Sequence, residues 1–135
     1  MKPFKGLVIR AGNELPRVVA FTTFEQVQEA VEGYVDRIEV PASIRKGLKI
    51  GRVDMLINED GKLTLPVNAE ATKLMADGLF WGDHVCGTVV LAGERNNAWQ
   101  DVPDELVEAV LGRAKALGFP GVIDADGVGV VVTDW

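Results

Sequence analysis

This chain encodes an α+β domain whose mainly antiparallel sheet is built from hairpins, with two or three helices packed on one face. Short β-rich runs are repeatedly followed by Gly, Asn or Asp, the residues that reverse a chain between strands. Longer segments repeat their apolar residues at helical spacing behind a capping residue. No repeat, low-complexity stretch or linker interrupts the 135 residues, so a single domain over 1–135 is expected.

Leu7-Val8-Ile9 and Arg17-Val18-Val19-Ala20-Phe21 flank a Gly12-Asn13 loop, which predicts a first hairpin. Thr22 with Glu25 reads as a capping box, Phe24, Val27, Ala30 and Val31 as the apolar stripe of a helix, and Gly33 as its stop. Tyr34 to Pro41 alternates as a strand with Ile38 and Val40 inward, followed by an irregular stretch. Val53 to Ile57 leads through Asp60-Gly61, a strong turn signal, into Lys62-Leu63-Thr64-Leu65, predicting a second hairpin. Pro66-Val67-Asn68 caps a short helix with Ala71, Leu74 and Met75 on its buried face, closing at Gly78. Val85 to Ala92 predicts a further strand, central at Val89-Val90-Leu91. The longest helix opens with Asp101 as cap and Pro103 in its first turn. Its stripe is Leu106, Val107, Val110, Leu111, Ala114 and Leu117, and Gly118 ends it. Gly121 to Thr133, around Asp126-Gly127, reads as a last hairpin.

An apolar fraction of 47% and a charged fraction of 25% are those of an ordinary globular protein that folds without disulfides or metals. The N-terminal stretch carries Lys2, Lys5 and Arg10 but no apolar core of a signal peptide, and no window is long and apolar enough to span a bilayer. With one cysteine, Cys86, in an apolar run, the expectation is a soluble protein of a reducing cytoplasm. A formal net charge of -6 repels phosphate backbones, so nucleic acid is not the expected partner.

Motifs for catalysis are sparse. The single histidine, His84, and Cys86 give two zinc ligands where three or four are needed, so neither metal nor cofactor is expected. Asp124-Ala125-Asp126-Gly127 starts like a calcium loop, but the twelfth position is Trp135 and not glutamate. Ser43 is the only serine and lacks a nucleophile elbow; with His84 as the one base, a triad would be a coincidence of folding. No phosphate-binding glycine loop occurs, since Gly47-Leu48-Lys49-Ile50-Gly51 has the wrong spacing.

Two stretches stand out as binding candidates. Arg45, Lys46, Lys49 and Arg52 form a basic stretch free of acids, suited to the phosphates of a small nucleotide-like ligand. Phe80 and Trp81, between Gly78 and Gly82 and followed by Asp83 and His84, place bulky aromatics where a loop is expected, as a protein-binding anchor would.

Five short motifs in this order resemble a family of unknown function, DUF3846, found in bacteriophages, plasmids and their hosts. They are Leu7-Val8-Ile9-Arg10, Val31-Glu32-Gly33-Tyr34-Val35, Asn58-Glu59-Asp60-Gly61-Lys62, Leu65-Pro66-Val67-Asn68 with Ala71-Thr72, and Gly82 through Leu91. The resemblance covers about residues 6–92 and leaves 93–135 as a C-terminal helix and hairpin outside it. It implies a mobile-element accessory protein and transfers no catalytic residue. The expected function is therefore non-enzymatic binding that occludes a host protein through Phe80, Trp81, Asp83 and His84. Sequestration of a small ligand by Arg45, Lys46, Lys49 and Arg52 is the alternative, and an enzyme centred on His84 the weakest reading.

Overall fold

The computed structural model describes residues 1–12, 14–79 and 82–116, the last four by backbone alone. Strands β1 (Phe4–Ile9), β2 (Arg17–Phe21), β3 (Val35–Glu39), β4 (Val53–Asn58), β5 (Val89–Arg95) and β6 (Ala98–Gln100) form one six-stranded antiparallel sheet, ordered β2-β1-β5-β4-β3. The first half of β5 pairs with β1 (Leu7↔Leu91, Ile9↔Val89) and its second half with β6 (Gly93↔Gln100). Strand β6 thus continues the line of β1 on one side of β5, while β4 occupies the other. Two bonds to Lys5 join them: its carbonyl accepts from Val102 N at 2.8 Å, and its amide donates to Asp101 Oδ1 at 2.7 Å.

The α+β class and the hairpin-built antiparallel sheet are as the sequence predicts, with Val89-Val90-Leu91 at the centre. The helices, however, cover both faces. Val27 and Val31 of α1 (Phe24–Val31) pack with Val8, Val19, Phe21, Leu56 and Val90. On the other side, Leu7, Ile9, Met55 and Leu91 meet Ala71 and Leu74 of α4 (Ala69–Leu74) and Leu106, Val107 and Val110 of α5 (Asp104–Ala116). Ile44 and Leu48 of α2 (Ala42–Leu48) close that layer. The cause is in the central strands, where consecutive residues Val89, Val90, Leu91 and Ala92 are all buried and both sides need cover.

Several local expectations shift. The α1 capping box is one residue later than Thr22 and Glu25: Thr23 caps, and Gln26 reaches back, its Oε1 accepting from the amides of Thr22 and Thr23. The helix ends on Glu32 in the left-handed region (φ 65). Gly33 is needed for closeness instead, since a Cβ there would lie 2.7 Å from Asn58 Nδ2. The stretch after β3 is helix α2 and not irregular, ended by Lys49 in the left-handed region (φ 57). Asp60-Gly61 makes no hairpin turn: Asn58 Oδ1 accepts from Asp60 N at 2.8 Å and a short helix α3 (Gly61–Thr64) follows. Residues 85–88 stay outside the strand except for a bridge between Val67 and Cys86, so β5 starts at Val89. Asp101 binds Lys5 and does not cap α5, whose first turn bonds to the Pro103 carbonyl. Strand β6, which the sequence reading passed over, follows a two-residue turn with Asn96 and Asn97 both at positive φ, the requirement of a tight hairpin. The helix end at Leu117 and Gly118, the calcium-like Asp124 to Gly127 and the hairpin over 121–133 lie outside the described residues.

Candidate functional site

A cleft of about 350 Å³ opens at the β3 edge of the sheet. Its floor is apolar, made by Ile38, Ile57, Leu79 and Val85, and its rim carries Asp36, Glu59, Asp60, Lys62, Asp83 and His84. Pairing of Asp36 with Ile57 sets β3 and β4 side by side as one wall. Asn58 fixes the chain beyond that wall. Its Nδ2 donates to the carbonyls of Val31 and Glu32, both at 3.0 Å, while its Oδ1 holds the Asp60 amide. The end of α1 and the start of α3 are thereby tied to the last residue of β4.

On the facing wall, Asp83 Oδ1 accepts from Lys62 Nζ and from the His84 amide at 2.9 Å. The Lys62 hydrogen bond first, and the His84 amide second, hold the Asp83 carboxyl below the usual aspartate range. Asp83 and His84 are therefore brought together on the rim, with His84 exposed and Asp83 half-buried. Phe80 and Trp81 lie outside the described residues. Neither His84 nor Cys86 lies in a strand, Cys86 forming only an isolated bridge with Val67. Among the described residues no group of three or more His, Cys, Asp or Glu is placed to hold a metal ion.

Two residues that the sequence reading did not single out complete the site. Leu63, in α3 at the mouth of the cleft, is 81% exposed, and Tyr34 is 71% exposed. Tyr34 is not itself a lining residue; it is joined to the rim through its backbone, its carbonyl accepting from Glu59 N at 2.8 Å. The only local hint is that a leucine and a tyrosine fall in turn-rich segments, which is too common to single them out.

Both arginines of the basic stretch are ion-paired. Arg45 binds Glu39 at 3.2 Å and the Val40 carbonyl at 3.4 Å. Arg52 binds Asp54 at 3.2 Å and Glu94 at 3.3 Å, and the charge of Asp54 is the chief cause that raises its pKa further. A third arginine, Arg37, approaches the other oxygen of the buried Asp54 at 3.6 Å. Lys46 and Lys49 are exposed. Ser43 donates to Asp77 Oδ2 at 2.8 Å and lines a separate apolar cavity of about 400 Å³ with Leu48, Leu74 and Val110, so it shares no cavity with His84.

The family model for Domain of unknown function (DUF3846) matches residues 1–115, and the chain belongs to that family. The match reaches into α5, beyond the 6–92 over which the motifs were recognised. No curated protein and no solved structure matches the chain.

Proposed function

From that membership, which carries no chemistry with it, we propose a non-enzymatic binding protein of phage or plasmid type that occludes a host protein in the cytoplasm of its host. The observation behind this reading is the exposed Leu63 at the mouth of a cleft with an apolar floor and a charged rim, beside which the exposed Tyr34 is bonded through its backbone to Glu59. An apolar floor ringed by polar groups is the anatomy of a protein interface. Asp83 and His84 belong to that rim, and the sequence sets Phe80 and Trp81 between them and Leu79. Four acids on the rim (Asp36, Glu59, Asp60, Asp83) against Lys62 and His84 favour a partner with basic residues around an apolar knob.

Ligand sequestration through Arg45, Lys46, Lys49 and Arg52 has less support, because both arginines already hold carboxylates of the sheet. The two readings separate in one comparison. Tagged full-length protein and its Leu63→Glu/Tyr34→Glu variant are expressed in the native host, purified, and their co-purifying proteins quantified by mass spectrometry. Loss of one stoichiometric protein in the variant, at unchanged melting temperature, is the expected result. Equal recovery from both would remove the cleft as the interface. A rise in melting temperature with nucleotides, about 2.7 kcal/mol of stabilisation at a hundredfold excess over Kd, would favour the sequestering reading.

A further inference from the structure

The opposite edge of the sheet carries a second concave surface, independent of the cleft. Strand β2 is the outermost strand there and pairs with β1 alone. In an antiparallel pair, alternate residues of the outer strand turn their N–H and C=O groups away from the partner. Among the described residues no other segment bonds to the β2 backbone. The two edges differ in how they are guarded. Strand β3 carries Asp36, Arg37 and Glu39, charges that discourage a further strand. Strand β2 reads Arg17-Val18-Val19-Ala20-Phe21, with one charge at its start and no proline.

Beside this open edge lies a groove of about 700 Å³, bounded by Val19 and Phe21 of β2 on one side and by Glu29 and Ala30 of α1 with Glu32 on the other. An exposed strand edge beside a helix is the geometry in which an extended peptide adds to a sheet. Main-chain bonds supply affinity, and pockets for alternate side chains supply choice. The groove also sets the chemistry of its occupant. Val19, Phe21 and Ala30 offer apolar contact, whereas the exposed Glu29 and Glu32 line the same groove and give it negative charge. Arg10, the cation at the groove's end, is already paired with Glu14 at 3.3 Å.

We propose that the β2 edge and α1 capture an extended segment of a basic protein in which every second residue is Lys or Arg. These face α1, with their aliphatic stems on Val19, Phe21 and Ala30 and their charges on Glu29 and Glu32, while the apolar residues between them face the side of Val18. A second copy of this chain fits less well. Self-pairing of β2 about a two-fold axis normal to the sheet would set both α1 helices on one face. Their Glu29 and Glu32 would then line a common groove with no new cation between them.

The test uses the full-length chain and a labelled decapeptide library alternating Val, Ile or Thr with Lys, beside a matched library with Glu in place of Lys. Binding is read by fluorescence anisotropy. Members of the Lys library should bind and those of the Glu library should not; Glu29→Lys with Glu32→Lys should weaken the tightest peptide at least tenfold and reverse that preference. N-methylation of the peptide amides in one alternate register should weaken binding at least tenfold, and in the other register hardly at all. Leu63→Glu with Tyr34→Glu should change none of this, which keeps the result separate from the fate of the cleft. The proposal is overturned if neither library binds, if the charge reversal has no effect, or if both methylation registers bind like the parent peptide. Sedimentation as a dimer that Glu29→Lys with Glu32→Lys alters would assign the groove to a second copy instead.

Discussion

Replacing Asn68 tests the reasoning about buried polar groups most sharply. Its side chain is 1% exposed and makes three bonds at once. Nδ2 donates to the carbonyls of Ile9 and Gly87, both at 2.9 Å, and Oδ1 accepts from Ala71 N at 3.0 Å as the cap of α4. Asn68→Ala removes a helix cap, worth about 1 kcal/mol. It also leaves two buried carbonyls without that donor, at roughly 1–3 kcal/mol each before water enters the vacated space. A loss of about 3–7 kcal/mol follows, at the lower end where water fills the space, or on the order of 10–25 °C in Tm for a domain of this size. Asn68→Asp is the discriminating variant. It keeps the cap acceptor but sets an anionic oxygen 2.9 Å from two carbonyl oxygens, where the wild type has a donor. It should therefore be no more stable than Asn68→Ala at pH 7, although it differs from the wild type only in exchanging the amide nitrogen for oxygen. Burial among carbonyls raises the folded-state pKa of the new carboxyl above its unfolded value. A raised folded pKa means that the deficit is largest above that pKa and narrows as pH falls through it, since the protonated acid again donates. Urea titrations at pH 7 and pH 4.5 read both effects. An Asn68→Asp variant within about 1 kcal/mol of wild type at pH 7 would refute the argument.

Three more outcomes follow from the same geometry. Gly87→Ala should destabilise by about 2–4 kcal/mol, since Gly87 sits at φ +82 and the new Cβ would lie 2.6 Å from Leu65 Cδ1, whereas Gly47→Ala in the open face of α2 should stabilise by about 0.5–1 kcal/mol; thermal unfolding of both checks the pair. Asp54→Asn should cost less than Arg37→Ala combined with Arg52→Ala, because the two half-exposed arginines regain water while a fully buried carboxylate left alone does not; roughly 1–2 against 3–5 kcal/mol is expected, and the reverse order in urea midpoints would contradict it. Lys62→Ala should let the Asp83 pKa rise toward the ordinary ~3.9, read by NMR titration; since that pKa is lowered in the fold, the pair's contribution is present above the unfolded value and fades as pH falls through the folded one, and an unmoved titration would mean that Lys62 is not the cause.

The periodicities of the chain specify its elements better than their arrangement. Alternation and capping signals place β1, β2, β3, β4, α1, α4 and α5 in nearly their observed positions, because those signals are local. The second helical layer was written in the uninterrupted apolar run Val89-Val90-Leu91-Ala92, which a strand needs only when both its faces are buried. The pairing of the basic stretch is hidden for a related reason. Arg45 and Arg52 look unpaired in sequence, yet their acids, Glu39, Asp54 and Glu94, come from β3, β4 and β5 and meet them only once the sheet forms.

Asn58 and Asn68 show where local reading stops. Each sits among turn residues, and each does make the turn or cap bond that its position suggests. In sequence that role accounts for them fully. In the fold, the amide left over from that bond reaches much further along the chain. Asn58 Nδ2 holds the last carbonyls of α1, and Asn68 Nδ2 joins the end of β1 to the chain entering β5. Only a carboxamide combines one acceptor with two donors in so short a side chain, which is why neither Asp nor Ser would serve. Asp60-Gly61 then fails as a hairpin for a concrete reason: Asn58 has already claimed the Asp60 amide, and Gly61 packs so close to the Cys86 carbonyl that a Cβ would lie 2.9 Å from it. The helix that starts there carries Lys62 and Leu63 to the cleft, so the feature that hid the site from the sequence is the one that builds it.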